Sequence, residues 1–354
     1  MRKRHTPIWI GLLVVLLPTM LGLVPGCATW SDGPVILNVS YDSTRELYRQ
    51  LDRAFVADYL SRTGQKVRVR QSHGGSGSQA RAVMDGIPAD IVSLAIWPDT
   101  QALVQRGLID GAWEDRLPNH AVPFFSTIVF VVRKGNPKKI HDWQDLQNDN
   151  LKIICANPKI SGGAKLITLA AWGSVLKRQQ ITDSAPEAVR RAAEADAEKF
   201  VTRLYRQVPV LDSGSRSATI TFSHRLLGDV HLTWESEALL EVEEFPHELE
   251  IVYPSCSIMA EPKVALVDRN VAEHGTRAIA ERYLEFLYSN QAQEIIAQNG
   301  YRPTIAAVQE SCAHKFPPID LFRIDYAVPG GWVSANQKFF AEGALFDRIM
   351  EQAH

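Results

Sequence analysis

Short apolar runs alternate with longer amphipathic runs along this chain, and this alternation constrains the fold more than any other feature. Val35 to Tyr41 is an apolar run of strand length, and apolar residues within Thr44 to Tyr59 recur at helical spacing. Ala89 to Ile96, Thr127 to Arg133 and Val230 to Trp234 are further strand-like runs. Repeated strand-then-helix units predict an α/β fold with mostly parallel sheets and helices on both faces.

The rest of the chain follows the same pattern and is long enough for two domains. Additional strands are predicted at Lys66 to Arg70, Leu151 to Cys155, Val208 to Leu211, Glu250 to Tyr253 and Val264 to Val267, with helices over 166–176, 185–206, 276–288 and 291–298. At about 150 residues per domain, 354 residues suit two cores. No long linker is visible, so we expect domain I at 35–124 and 235–305, domain II at 125–234, and a C-terminal helical segment, 306–354, packing on both.

Composition excludes several classes of protein. Hydrophobic residues make up 45% of the chain, which is too many for a disordered protein. The formal net charge is −2, which argues against a nucleic-acid surface. Three of the four cysteines, Cys155, Cys256 and Cys312, lie in the body and form no C-x-x-C pair. We expect them to be small buried residues, and we expect neither a metal site nor a cofactor.

The N-terminus has the pattern of an export signal. A basic start is followed by an apolar run from Ile8 to Val24, which predicts a signal peptide over 1–26. A transmembrane anchor is the alternative, but the run is short and is interrupted by Pro18 and Gly22. Cys27 follows Val24-Pro25-Gly26, a stretch similar to a bacterial lipobox, and we expect lipidation there, with 27–34 as a tether. Cleavage a few residues later, giving a freely soluble protein, is the alternative.

Four predicted strands run into loops rich in Gly, Ser and Asp. The loops contain Asp42-Ser43-Thr44, Gln71 to Gly77, Ser161-Gly162-Gly163 and Asp212 to Ser215. Ligands of parallel α/β sheets bind beyond the carboxyl ends of the strands, where helix N-termini offer unpaired backbone N–H groups. Glycine lets the backbone approach a ligand closely, and serine adds a hydroxyl donor. The pattern therefore predicts a site for a small oxyanion, although each loop taken alone also fits an ordinary helix cap.

Signatures of common enzymes are absent from the sequence. His73-Gly74-Gly75-Ser76 is similar to the glycine-rich oxyanion loop of esterases, but the chain has no G-x-S-x-G nucleophile motif. It also has no P-loop and no H-E-x-x-H zinc motif. We therefore expect no enzymatic activity and interpret His73 as a residue that packs within its loop. An exported hydrolase stays open as a different class of function.

Beyond these patterns, the chain resembles the sulfate-binding proteins of bacterial ABC importers. Matching strings occur in order along the body: NVSYDSTRELY (38–48), QSHGGSG (71–77), STIVFVVRKGNPKKIHDW (126–143), NPKISGGAK (157–165), LDSGSRSAT (211–219) and GDVHLTWESEALL (228–240). The resemblance implies a type II periplasmic binding protein fold. In that fold two α/β domains close on a ligand held in the cleft between them.

The family's sulfate contacts can be carried over position by position. They fall on Asp42, Ser76, Ser161, Gly162, Gly163, Ser215 and Trp234. The resemblance implies hydroxyl donation from Ser76 and Ser161, indole donation from Trp234, and backbone N–H donation from the others. Two positions depart from the family pattern, since Ser215 stands where Ala is usual and Lys165 where Arg is common. Arg216 and Glu235 are expected to be structural partners near the cleft.

The resemblance also implies a biological role. It predicts a monomeric, extracytoplasmic protein that captures sulfate and delivers it to an ABC permease and its ATPase. Thiosulfate is the alternative ligand, and molybdate is a weaker one. A ligand-dependent sensor partner is a further class of function that the sequence leaves open. No nucleic acid is expected, and contact with the membrane is expected only through the lipid on Cys27.

Overall fold

The computed structural model describes residues 33–353. The predicted signal peptide and its boundary at 26, the lipidation site Cys27 and most of the 27–34 tether lie outside the described residues. Within 33–353, every helix is too short or too polar to cross a membrane.

Two larger sheets, two two-stranded sheets (Cys256–Ile258 with Asp320–Phe322, and Phe124–Phe125 with Arg302–Pro303) and their covering helices make up the described residues. The strands are β1 (Val35–Tyr41), β2 (Arg68–Gly74), β3 (Ile91–Leu94), β4 (Phe124–Phe125), β5 (Ile128–Arg133), β6 (Ile153–Ala156), β7 (Leu211–Asp212), β8 (Val230–Trp234), β9 (Leu249–Val252), β10 (Cys256–Ile258), β11 (Lys263–Leu266), β12 (Arg302–Pro303) and β13 (Asp320–Phe322). The helices are α1 (Arg45–Thr63), α2 (Ser76–Met84), α3 (Trp97–Gln105), the left-handed turn α4 (Pro118–Ala121), α5 (Gly162–Arg178), α6 (Glu187–Arg206), α7 (Ser215–Thr219), α8 (Glu235–Glu244), α9 (Asp268–His274), α10 (Arg277–Phe286), α11 (Asn290–Gln298), α12 (Ala306–Ser311), α13 (Ile324–Ala327), α14 (Gly331–Ala335) and α15 (Leu345–Ala353).

The first sheet has the order β11-β3-β1-β2. β1 is parallel to both β2 and β3, whereas β11 is antiparallel to β3. Tyr41 at the end of β1 lies beside Gly74 at the end of β2, so the two following loops start from the same edge of the sheet. This register is what brings the first pair of predicted anion-binding loops together.

The second sheet has the order β7-β6-β8-β5-β9, with β8 at its centre. β6 is parallel to β7 and β8, and β5 is antiparallel to β8 and β9. The sequence assigned 235–305 to domain I, but β9 pairs with β5 and therefore belongs to the second sheet. The boundary at 234 is wrong for this strand, because an apolar run of four residues does not reveal which sheet its backbone will join.

Short extended segments connect the two sheets. Phe124–Phe125 pairs with Arg302–Pro303, and Ser126 forms an isolated antiparallel bridge with Ala260. Ser126 N–H donates to the Ala260 carbonyl, and Ala260 N–H donates to the Ser126 carbonyl, both at 2.9 Å. The chain therefore crosses between the sheets on adjacent extended strands.

Buried faces determine where the helices pack. In α1, Leu47, Leu51 and Phe55 lie on one buried face, and Gly64 ends the helix with a positive φ of 70°. The C-terminal residues pack mainly against α5 and α6, and Phe346 contacts the Tyr205 ring edge-on at 5.1 Å. Of the three cysteines, Cys155 and Cys256 are buried as expected.

The expectation of burial is wrong for Cys312, which is half-buried at the end of α12.

Glu237 in α8 is a fully buried carboxyl that faces α7. Its Oε2 accepts a hydrogen bond from Thr219 at 3.0 Å and lies 3.8 Å from the Arg216 guanidinium. Its Oε1 has no hydrogen-bond partner among residues 33–353. Burial raises the pKa of Glu237 from its ordinary value of 4.5 to about 8, although the Arg216 charge opposes the rise.

The raised pKa of Glu237 predicts a loss of stability at alkaline pH. The unfolded chain releases this proton at lower pH than the folded chain does, so the free energy of unfolding should fall as pH rises from about 5 to about 8. Glu237→Gln should reduce this loss by an amount on the order of 3 kcal/mol, measured by urea unfolding at both pH values. Glu244→Gln is the control, because Glu244 ends the same helix but is 53% exposed. Equal pH dependence in wild type and Glu237→Gln would contradict the prediction.

Candidate functional site

Loops from both sheets converge on one point. Asp42 follows β1 and Ser76 begins α2 after β2, so both extend from the first sheet. Ser161 caps α5 after β6, and Ser215 begins α7 after β7, so these extend from the second sheet. Trp234 is the last residue of β8. The structure thus brings every predicted contact residue to facing edges of the two sheets.

Gly162 and Gly163 are packed against residues from other loops. A Cβ on Gly162 would lie 2.9 Å from the Ala95 Cβ and 3.3 Å from the Ser76 Cβ. A Cβ on Gly163 would collide with the Trp234 indole nitrogen and lie 3.0 Å from the Ser215 Oγ. Glycine is therefore required at both positions for the loops to meet. Both residues occupy the first turn of α5, where backbone N–H groups have no acceptor within the helix.

Two further glycines allow the first sheet to approach the second. A Cβ on Gly75 would lie 2.9 Å from the carbonyl oxygen of Ile160, and one on Gly214 would collide with the Asp42 carboxylate. Arg216 donates its backbone N–H to Asp42 Oδ2 at 3.3 Å. The loops of the two sheets are thus in direct contact, which is a closed arrangement.

Trp234 provides an unused hydrogen-bond donor inside this closed arrangement. The side chain is 1% exposed, and its ring packs 5.3 Å from the ring of Tyr41. Its Nε1 has no hydrogen-bond partner within the described part of the chain. A buried polar group without a partner is costly, so an indole N–H in this position is suited to an acceptor brought by a ligand.

Ser161 retains a hydroxyl proton that it can donate. It is 3% exposed, and its Oγ accepts the backbone N–H of Ala164 at 3.4 Å as the N-cap of α5. Because a hydroxyl can accept and donate at the same time, capping the helix leaves the proton free for an acceptor. The donor role implied for Ser161 stays a prediction.

Ser76 differs from the expectation. Its Oγ donates to Asp99 Oδ2 at 2.5 Å and accepts the backbone N–H of Ala95 at 3.0 Å. A serine hydroxyl has one proton, and here that proton is directed at the Asp99 carboxylate. The structure therefore does not support the prediction that the Ser76 hydroxyl donates to the ligand. Its backbone N–H, in the first turn of α2, is the donor that stays available.

Charged side chains around the site are bonded to one another. Arg216 donates to Glu46 at 2.9 Å, and burial raises the pKa of Asp42 despite the lowering effect of the Arg216 backbone hydrogen bond. Arg302 donates to both carboxylate oxygens of Glu235 at 2.7 Å, and Glu235 is fully buried. These pairings agree with the structural roles expected for Arg216 and Glu235.

His73 does not supply a positive charge near neutral pH. Its Nδ1 lies 2.7 Å from Ser40 Oγ, and burial, reinforced by nearby Arg45, lowers its pKa to about 4. Lys165 in α5 lies with its Nζ 5.3 Å from the centre of the Phe340 ring, and burial lowers its pKa as well. No cluster of three or more metal-ligating side chains occurs among residues 33–353.

Sequence reasoning missed two members of the site. Asp99 holds the Ser76 hydroxyl, but it lies in the first turn of α3 and has no motif of its own. Gly214 lies in the predicted loop Asp212 to Ser215, but its close approach to the Asp42 carboxylate has no signal of its own in the sequence. Only the three-dimensional contact identifies either residue, because both act on partners more than 20 positions away in the chain.

Comparisons with known proteins show which family this chain belongs to. The profile of the bacterial extracellular solute-binding protein family matches residues 36–302. The sulfate-binding protein of Escherichia coli K12 is 49% identical over 318 residues, covering 90% of this chain and 93% of that protein. The thiosulfate-binding protein of Pseudomonas aeruginosa is 42% identical over 330 residues, covering 93% and 95%. The solved structure of the sulfate-binding protein SubI from Mycobacterium tuberculosis superposes with a TM-score of 0.76 at 31% identity, covering 87% of this chain and 99% of that one.

The packing of Gly163 predicts a sensitive test of the site. Gly163→Ala adds a methyl group that collides with the Trp234 indole, so the dissociation constant for a bound oxyanion should rise about tenfold or more. Isothermal titration calorimetry with sulfate measures the change. Gly111→Ala is the control, because a Cβ there has no atom within 4 Å. Unchanged affinity in Gly163→Ala would show that the loops do not form the site.

Proposed function

Because this chain belongs to the bacterial extracellular solute-binding protein family, we propose that it captures sulfate outside the cytoplasm and delivers it to an ABC importer. Its partners are the permease and the ATPase of that importer. Two relatives with extensive coverage are the sulfate-binding proteins of Escherichia coli and Mycobacterium tuberculosis, which supports sulfate as the ligand. It acts as a monomer, and its role is binding, not catalysis.

The unpaired indole N–H of Trp234 carries this proposal. It is a buried donor beside Gly163, whose own backbone N–H lies in the first turn of α5. The hydroxyl of Ser161 is one residue away from this turn. A compact set of donors with no free carboxylate acceptor suits a fully ionised tetrahedral oxyanion.

Neutral donors also favour sulfate over phosphate. Sulfate has no proton near neutral pH and accepts hydrogen bonds at all its oxygens, whereas phosphate retains a proton that would meet another donor. A buried polar group left unmatched costs about 1–3 kcal/mol or more, and such mismatch can produce selectivity up to ~10⁴-fold. Helix N-termini stabilise the negative charge without an ion pair, so the anion can leave when the site opens.

Thiosulfate is the second candidate ligand. The Pseudomonas aeruginosa thiosulfate-binding protein is 42% identical over nearly its whole length. Sulfate-binding and thiosulfate-binding relatives therefore have similar sequence identity to this chain. Ser215 stands where the family usually has Ala, and its Oγ faces Gly163 inside the site. This additional hydroxyl favours a terminal oxygen over a larger and weaker sulfur acceptor, which supports sulfate.

A hydrolase is disfavoured because the serine that contacts a histidine near the site is not accessible to a substrate. Ser40 Oγ is 2.7 Å from His73 Nδ1, an arrangement that could activate a nucleophile. Ser40 is completely buried within β1, so its hydroxyl cannot reach a substrate. This supports the binding role over the catalytic one.

The proposed function is tested by comparing anions and variants. Sulfate should raise the melting temperature of the wild-type protein by mass action, thiosulfate less, and phosphate not at all. Trp234→Phe and Ser161→Ala should each weaken sulfate binding about tenfold or more in calorimetry, since each removes a buried donor to a charged acceptor. Trp143→Phe is the matched control, because the Trp143 indole donates to the Cys256 carbonyl at 2.8 Å away from the site. Wild-type affinity in both site variants would overturn the assignment.

We further propose that the protein is lipid-anchored through Cys27. The apolar run before this cysteine and the preceding Pro25-Gly26 support export and lipidation. Cys27→Ser should move the protein from the membrane fraction to the soluble extracytoplasmic fraction without changing sulfate affinity, as measured by fractionation and calorimetry. A wild-type protein found only in the soluble fraction would contradict the anchor.

A further inference from the structure

The side chain of Lys159 leaves the anion-binding loop and reaches the C-terminal segment, defined here as residues 336–353. Its Nζ lies 2.7 Å from Asp347 and 3.3 Å from the carbonyl oxygen of Ala341. The Asp347 carboxylate also accepts the Gly343 backbone N–H at 2.8 Å. The hydrogen bond from Lys159 is the largest of the effects that lower the pKa of Asp347.

Lys159 lies inside the tight turn that orients Ser161. The backbone N–H groups of Ile160 and Ser161 both donate to the carbonyl oxygen of Asn157, at 3.2 and 2.9 Å. The Lys159 N–H donates to the Asn157 side chain at 2.9 Å. The turn is therefore compact, and a restraint on its Lys159 side chain also restrains the direction of the Ser161 donors two residues later.

The C-terminal segment is held in place by packing against α5 and α6. Phe339 packs edge-on against the Trp172 ring of α5 at 4.8 Å, and Phe346 packs against Tyr205 of α6. Phe340 also lies beneath the Lys165 ammonium, 5.3 Å from its ring centre. The segment thus holds the start of α5 from two sides and is itself anchored in the core of the second sheet.

We propose that Lys159 is a positioning residue for anion binding, which ties the loop before α5 to the C-terminal segment and directs its donors before the anion arrives. The inference rests on the proposed function. Directing the donors in advance lowers the cost of ordering them when the ligand binds. The Lys159–Asp347 pair lies at the surface, with its side chains 31% and 30% exposed, and surface ion pairs contribute little to global stability. The effect should therefore appear in affinity and not in melting temperature.

The test compares two ion pairs of the same segment. Lys159→Met should raise the sulfate dissociation constant about fivefold or more in calorimetry. Lys338→Met should keep it within about twofold, because Lys338 pairs with Glu194 of α6 and not with the loop. The two pairs have similar N–O distances, 2.7 and 2.8 Å, and lysine side chains 31% and 34% exposed, while Lys338 also lies 4.5 Å from the centre of the Trp172 ring. Equal effects of the two variants on affinity would overturn the proposal.

Two further variants separate positioning from packing. Lys159→Arg should bind sulfate with wild-type affinity, because it keeps the charge that pairs with Asp347. In an Asp347→Ala background, Lys159→Met should have less effect than in the wild type, because the partner is already gone. Loss of affinity in Lys159→Arg equal to that in Lys159→Met would overturn the proposal.

A readout without ligand distinguishes failure of this proposal from failure of the proposed function. Hydrogen exchange of the backbone amides over 157–165 should be faster in Lys159→Met than in Lys338→Met when no anion is present. If the wild-type protein binds no sulfate, the proposed function is wrong, and the exchange rates still decide whether Lys159 orders the loop. Equal exchange in both variants would overturn the positioning role.

Discussion

The site depends on bringing several hydrogen-bond donors of like polarity close to one point. Each helix N-terminus has a partial positive charge, so assembling several of them is unfavourable until an anion lies between them. The glycines at 75, 162, 163 and 214 make the approach sterically feasible, since a side chain at any of them would meet another loop. Sterics therefore permit the closed arrangement, and in the function proposed above the anion supplies its electrostatic stabilisation. That proposal couples binding and closure through the same contacts.

The charged residues near the site form ion pairs with one another, so they add no net charge to it. Glu235 is fully buried but is bonded through both oxygens to Arg302, and Arg216 is shared between Glu46 and Glu237. An unpaired cation in the site would hold a dianion too firmly for release to a transporter, whereas neutral donors hold it by geometry. The second layer, including Asp99 behind Ser76 and the C-terminal segment behind Ser161, orients the donors without adding net charge at the ligand.

Parts of the fold could be predicted from local pattern alone. β1 and β8 have the bounds expected for them, because short runs rich in apolar and β-branched residues form buried strands. The strand expected over 208–211 consists only of Leu211–Asp212, because Val208 and Val210 lie before the short segment that pairs with β6. β9 likewise joins the second sheet through its pairing with β5. Strand pairing depends on a partner distant in sequence, which a local pattern does not contain.

The sequence by itself determined the α/β class, the strand-to-helix loops and the residue types offered to a ligand, because hydrophobic periodicity and glycine placement act over a few neighbouring positions. Tertiary structure alone decided which donor of each residue is free. Ser76 turns its hydroxyl to Asp99, whereas Trp234 leaves its indole N–H unpaired within the described residues. The reason is that a hydrogen bond is directional and short, so its partner is chosen by atoms that folding brings together from distant parts of the chain.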